Sequence, residues 1–206
     1  MCGRFYIEND IEDIIASYGI REVKNLIPVK GEIYPGTNIP VVLKDKNRTL
    51  DFFRWGFKIS SLNKEVINAR IETVSEKPTF KRAFYKNRCI VPANAFFEWE
   101  TKEKTKIKYK ISAKDIPIFS IAGIYDEFLD SNNRPYYGVV LLTKQANEDM
   151  SKLHHRMPVF ITKDIEGKWL GEENMDALEL AEALEVKDSV KLKISPAEGV
   201  SQLTLF

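Results

Sequence analysis

Apolar side chains recur at Ile11, Ile14, Ile15 and Tyr18, three and four residues apart, which predicts a helix from Asn9 to Tyr18. Asn9 or Asp10 would cap it and Gly19 would stop it. A stretch punctuated by Pro28, Gly31, Pro35, Gly36 and Pro40 follows, and reads as loop. The pattern then tightens into strand-like runs at Val41–Lys44 and Thr49–Phe57, joined by the turn Asp45-Lys46-Asn47. Ser75 to Tyr85 reads as a short helix, with Ser75 as cap and Pro78 in the first turn. Beyond it strands dominate, at Arg88–Trp99, Ile107–Ala113, Ile116–Phe128 and Tyr136–Thr143, separated by polar turns such as Lys102–Lys106 and Ser131–Arg134. Helices are expected at Ala146–Leu153, Lys163–Leu170 and Met175–Leu184, with further strands at Met157–Ile161 and Ser189–Ile194. Hairpin-linked strands with helices outside them define an α+β class: a single domain whose core is an antiparallel, barrel-like β-sheet. No repeat, low-complexity tract or linker interrupts it.

Composition narrows the partners less than the pattern narrows the fold. With 206 residues, 44% of them hydrophobic, the chain can bury one sizeable core. Lys+Arg 31 against Asp+Glu 30 leaves a net charge of +1, so any nucleic-acid surface must come from segregated charge. No apolar run approaches the ~18 residues of a membrane span. The start, MCGRFYIEND, lacks the basic and apolar regions of a signal peptide. Cys2 and Cys89 are the only cysteines, and with two histidines they make neither a disulfide framework nor a good zinc site. The expectation is a cytoplasmic protein with reduced thiols and no metal or cofactor.

Cys2 lies between Met1 and Gly3. A small second residue normally permits removal of the initiator Met, which leaves an α-amine and a thiol on adjacent carbons. Their reference pKa values, ~7.7–8.0 and ~8.5, give both groups accessible nucleophilic forms near neutral pH. Such a 1,2-aminothiol attacks an aldehyde first as an amine, giving a Schiff base, and then closes through sulfur to a stable thiazolidine. Alternatively the α-amine serves as base for its own side chain, as in N-terminal-nucleophile hydrolases. Met1-Cys2-Gly3 alone is also what an ordinary chain start looks like.

Further motifs change that weighting. Asn68-Ala69-Arg70-Ile71-Glu72 follows a strand-like stretch, Arg88-Cys89-Ile90-Val91-Pro92 leads into Phe97-Glu98-Trp99, and His154-His155-Arg156-Met157-Pro158 precedes another strand. Together with Met1-Cys2-Gly3-Arg4-Phe5, and in this order over residues 1 to 158, they resemble the SOS response-associated peptidase (SRAP) family. The resemblance implies a protein of the DNA damage response that senses abasic sites in single-stranded DNA. It would form a thiazolidine DNA–protein crosslink through Cys2, with secondary AP-lyase activity and, from the family name, autoproteolytic (peptidase, hydrolase) exposure of Cys2. A nucleoid-associated monomer is expected.

Residue by residue, the resemblance makes Cys2 the nucleophile and Glu98 the acid–base carboxylate, whose place between Phe97 and Trp99 suggests an apolar setting that raises its pKa. His154 would assist sugar ring opening or crosslink reversal, with His155 in the variable position, and Asn68 would position the aldehyde or the crosslinked sugar. Arg4 and Arg70 would bind flanking phosphates, and Lys81, Arg82, Arg88 and Arg156 would extend a basic floor. Trp55 fits the family's base-stacking wedge. Two departures stand out: Arg54 where many relatives carry a second tryptophan, and Phe97 where tyrosine is common. Trp99 and Trp169 are expected in the core.

The domain is expected over residues 1–201, followed at 202–206 by a possible sliding-clamp-binding peptide, Gln202-Leu203-Thr204-Leu205-Phe206. There Leu203, Leu205 and Phe206 would anchor in a pocket while Gln202 hydrogen-bonds at its edge. Those five residues also read as a last strand completing the core. Two other classes remain: an N-terminal-cysteine amidohydrolase or glutamine amidotransferase, which glutamine turnover would reveal, and a non-catalytic DNA-binding adaptor, whose affinity would survive Cys2→Ala.

Overall fold

The computed structural model describes residues 2–59, 64–102, 105–173, 175–186 and 190–197, with the backbone of 203–204. In chain order the strands are β1 (Phe5–Ile7), β2 (Glu22–Val23), β3 (Gly31–Ile33), β4 (Asn38–Lys44), β5 (Arg48–Trp55), β6 (Asn68–Arg70), β7 (Arg88–Ala93), β8 (Ala95–Lys102), β9 (Thr105–Ala113), β10 (Phe119–Leu129), β11 (Pro135–Gln145), β12 (Arg156–Pro158), β13 (Phe160–Ile161), β14 (Leu192–Pro196) and β15 (Leu203–Thr204). The helices are α1 (Ile11–Tyr18), α2 (Pro78–Lys86), α3 (Glu148–Ser151), α4 (Lys163–Leu170) and α5 (Ala177–Val186), with a single 3-10 turn at Ile71–Thr73.

Strands β5, β4, β7, β10 and β11 pair in that order, and β11 returns to β5, closing a five-stranded ring. The antiparallel expectation holds around the ring except at this closing seam, where Gly138 and Val139 run parallel to Arg54 and Trp55. A Cβ at Gly138 would lie 2.6 Å from the Gly56 carbonyl oxygen, so the close approach that seals the ring requires glycine there. Val139 to Leu142 are all buried, as expected for a strand covered on both faces. A second sheet, β14-β9-β8-β1-β3, lies outside the ring. Helix α1 ends where Gly19 takes the left-handed conformation (φ 61°) and its N–H returns to the helix carbonyls. No described helix is long and apolar enough to cross a membrane.

The continuous run Arg88–Trp99 suggests one strand, yet the chain changes sheets inside it, from β7 in the ring to β8 beside β1. Asn94 holds the corner: its N–H donates to Tyr6 O (2.9 Å), its Oδ1 accepts from the Glu8 N–H (2.7 Å), and its Nδ2 donates to Pro117 O (2.6 Å). Met157–Ile161 splits likewise at Val159, β12 joining β11 and β13 joining β10. The helix expected at Ala146–Leu153 shortens to α3 because the Asn147 side chain accepts the Met150 N–H (3.0 Å) and caps it there. Of the terminal peptide, the backbone at Leu203 and Thr204 pairs with Lys106 and Thr105, on the β9 edge that also carries β14. Gln202, Leu205 and Phe206 lie outside the described residues.

Candidate functional site

Cys2 precedes β1 and is 1% exposed. Strand β1 pairs with β8 through Phe5–Phe96 and Tyr6–Ala95, which brings Cys2 toward Glu98. Strand β6 lies parallel to β11, with Asn68 opposite Leu141, and the Asn68 Nδ2 donates to the Cys2 carbonyl at 3.0 Å. His154 sits on the turn before β12, which pairs with the far end of β11. Residues 2, 68, 98 and 154 are therefore placed by the junction of the two sheets at the end of β11.

The electrostatics are dominated by burial. Burial pushes the Cys2 thiol well above its ordinary range, the Glu98 charge pushes it further, and the thiol contacts the Arg4 carbonyl at 3.6 Å. Burial also raises the Glu98 carboxyl, against the opposing pull of the amino-terminal charge and His155. Glu98 is 5% exposed, the apolar setting expected from its neighbours. His154 is lowered, by burial first and then by the amino-terminal charge, so it is neutral near pH 7. Its Nδ1 accepts the Arg156 N–H at 2.9 Å, which leaves the proton of the neutral ring on Nε2. The buried Asn68 Oδ1 has no hydrogen-bond partner among the described residues, an acceptor directed at whatever donor enters.

The predicted DNA contacts divide. Arg4 is at the surface, with its guanidinium over Tyr34 (4.4 Å) and Trp99 (5.1 Å) and paired to Glu32 at 2.9 Å. Lys108 holds the other Glu32 oxygen at 2.6 Å. Arg70 is exposed and makes no ion pair among the described residues. Arg82 is exposed on α2 and paired to Asp126 at 2.7 Å.

Trp55 does not fit the wedge: it is 0% exposed, its indole N–H donates to Ile67 O (3.1 Å), and its ring meets Phe5 edge-on at 5.1 Å. Arg156 is no phosphate ligand here either. Its buried guanidinium donates to both Glu72 oxygens and to Thr143 O (2.6 Å). Arg88 is turned inward onto Trp169 O (2.7 Å) and Phe84 O (3.3 Å), so the basic floor loses both. Trp169 is core as expected, whereas Trp99 is half-buried beside Arg4.

Glu32, Tyr34 and Lys108 were not legible as site residues, because only the pairing of β1 with β3 and of β8 with β9 brings them to Arg4. Glu72 lies within a quoted motif, but its partner Arg156 is 84 residues away.

A five-stranded ring flanked by a second sheet is an architecture that known proteins share. The chain belongs to the SRAP family (SOS response associated peptidase), whose model matches residues 1–200. Among its relatives is the abasic site processing protein YoqW of Bacillus subtilis, 34% identical over 202 residues, covering 92% of this chain and 88% of that one. A second Bacillus subtilis protein, the abasic site processing protein YoaM, is 36% identical over 187 residues, covering 84% and 81%. The crystal structure of a Bacteroides thetaiotaomicron protein superposes with a TM-score of 0.82 at 27% identity, covering 96% of this chain and 93% of that one.

Proposed function

We propose that this chain captures abasic sites in single-stranded DNA by forming a covalent bond through Cys2. The observation that carries the reading is the convergence on Cys2, whose carbonyl is held by Asn68 and whose thiol feels the charge of the buried Glu98. The printed names of the relatives support the choice of substrate.

Once Cys2 is the terminal residue, its α-amine adds to the aldehyde of the ring-opened deoxyribose. The carbinolamine hydroxyl leaves as water with a proton from Glu98, whose raised pKa keeps that proton available nearer neutrality, and the iminium ion remains. The thiol then adds to the iminium carbon, its proton returning to the Glu98 carboxylate, and the thiazolidine closes without redox change. A neutral thiol suits this order, because it does not compete with the amine for the aldehyde. His154, donating through Nε2, assists opening of the sugar ring and reversal of the crosslink, and the open acceptor of Asn68 takes a sugar hydroxyl. Arg4 and Arg70 bind flanking phosphates without reading sequence, and Trp99, not Trp55, offers the stacking ring. β-Elimination from the Schiff base would give AP-lyase activity, and exposure of Cys2 by autoproteolysis or methionine removal precedes all of it. We also propose that residues 202–206 dock on a sliding clamp and that the protein acts in the SOS response.

The test is a single-stranded oligonucleotide with one abasic site, mixed with wild type or Cys2→Ala and examined by denaturing gel and intact mass. The expected result is an adduct of protein lacking Met1 that needs both Cys2 and the lesion. An amino terminus shown free by mass, with no adduct formed, would overturn the covalent reading.

A further inference from the structure

His155 stands in the variable position of its motif, and nothing in the scheme above employs it. Its ring lies on that of His154, with centroids 4.4 Å apart and planes 22° from parallel. Adjacent side chains in extended backbone point to opposite faces, so two consecutive rings stack only where the chain bends, as it does at His155 before β12. The pair runs from solvent inward, His155 exposed and His154 half-buried. Behind it, the His154 Nδ1 is fixed by the Arg156 N–H. The charged and titratable groups around the two rings are Glu98 from β8, Cys2 and the amino terminus ahead of β1, and Arg156 on β12.

We propose that His155 is a positioning residue for His154, holding the plane of that imidazole by stacking and setting a second imidazole between it and solvent. Stacking costs the chain little and confines a ring whose Nδ1 the backbone already holds. A positive charge at His155 opposes protonation of His154 and favours the ionised form of Glu98. Burial first, then the amino-terminal charge, with the charge of His155 adding to them, keep His154 a neutral Nε2–H donor further into acid than a lone imidazole would. The catalytic consequence rests on the abasic-site reading; the coupling of the two rings is a property of the free protein and is tested apart from it.

Two variants separate the parts: His155→Phe keeps a ring and removes the charge, and His155→Ala removes both. Imidazole resonances of the free protein are followed by NMR against pH, and single-turnover adduct formation on an abasic oligonucleotide is timed over the same range. For His155→Phe, the His154 midpoint should move to higher pH and the acid limb of the rate profile should move with it, at an unchanged alkaline rate. For His155→Ala, adduct formation should slow about two- to tenfold at every pH. An unmoved His154 midpoint in His155→Phe, together with an unaltered rate in His155→Ala, would overturn the proposal. Should wild type form no adduct, the abasic-site reading fails, and the NMR midpoint alone then decides whether His155 acts on His154.

Discussion

Glu98 shows how a single side chain trades stability for chemistry. Its folded pKa lies above the unfolded one, so the folded state retains a proton that the unfolded chain sheds. Stability is therefore whole below the unfolded carboxylate range and declines as pH rises from there through the folded value. Glu98→Gln should raise the melting temperature by a few degrees at neutral pH, give no gain in acid, and abolish rapid adduct formation; calorimetry at the two pH values checks the sign. This setting could be read in advance from the flanking Phe97 and Trp99. The burial of Trp55 could not, because Arg54-Trp55-Gly56-Phe57 has the same letters on a surface as in a core, and the carbonyl that satisfies its indole arrives from Ile67. Base stacking should accordingly quench the fluorescence of Trp99 alone. Trp99→Phe is expected to remove the quenching that single-stranded DNA causes, and Trp55→Phe to leave it in place.

At the scale of elements, the far end of β11 organises the site. β6 lies on one edge and β12 on the other, both paired at Thr143. Arg156 crosses between them, holding Thr143 O and the Glu72 carboxylate that follows β6. Asn68 and His154 thus keep their relative places through one half-buried ion pair, and Arg156 holds Glu72 below the usual carboxylate range. Arg156→Ala should cost about 1–3 kcal/mol in urea denaturation, since it leaves the half-buried Glu72 and a buried carbonyl without their donor. It should also slow adduct formation about tenfold or more through misplacement alone. Periodicity located most strands but joined β7 to β8 and β12 to β13, because an apolar run reads alike whether or not the chain turns from one sheet to another. The polar residue that marks the first corner, Asn94, is recognisable only by its partners Glu8 and Pro117.

For the molecule as a whole, the alternation of apolar and polar runs was enough for the class, whereas the parallel seam was not legible: which strand pairs with which is not written in a period of two. Among the described residues, the backbone of Leu203 and Thr204 pairs with Lys106 and Thr105, outside the five-stranded ring. Deleting residues 202–206 should therefore abolish binding to a purified sliding clamp, measured by biolayer interferometry, and leave adduct formation unchanged. Retained clamp affinity would remove that partner. The burial of Cys2 has a further consequence for a chain still being made. Roughly 150 residues separate Cys2 from the histidine turn, and at ~5–20 residues per second the ribosome needs on the order of 10–30 s to supply them. For that interval the histidine turn that helps to enclose the cysteine has not yet been made. Any aminopeptidase that must trim what precedes it has its chance during synthesis, and the finished fold then shuts the nucleophile away from every thiol reagent too bulky to follow.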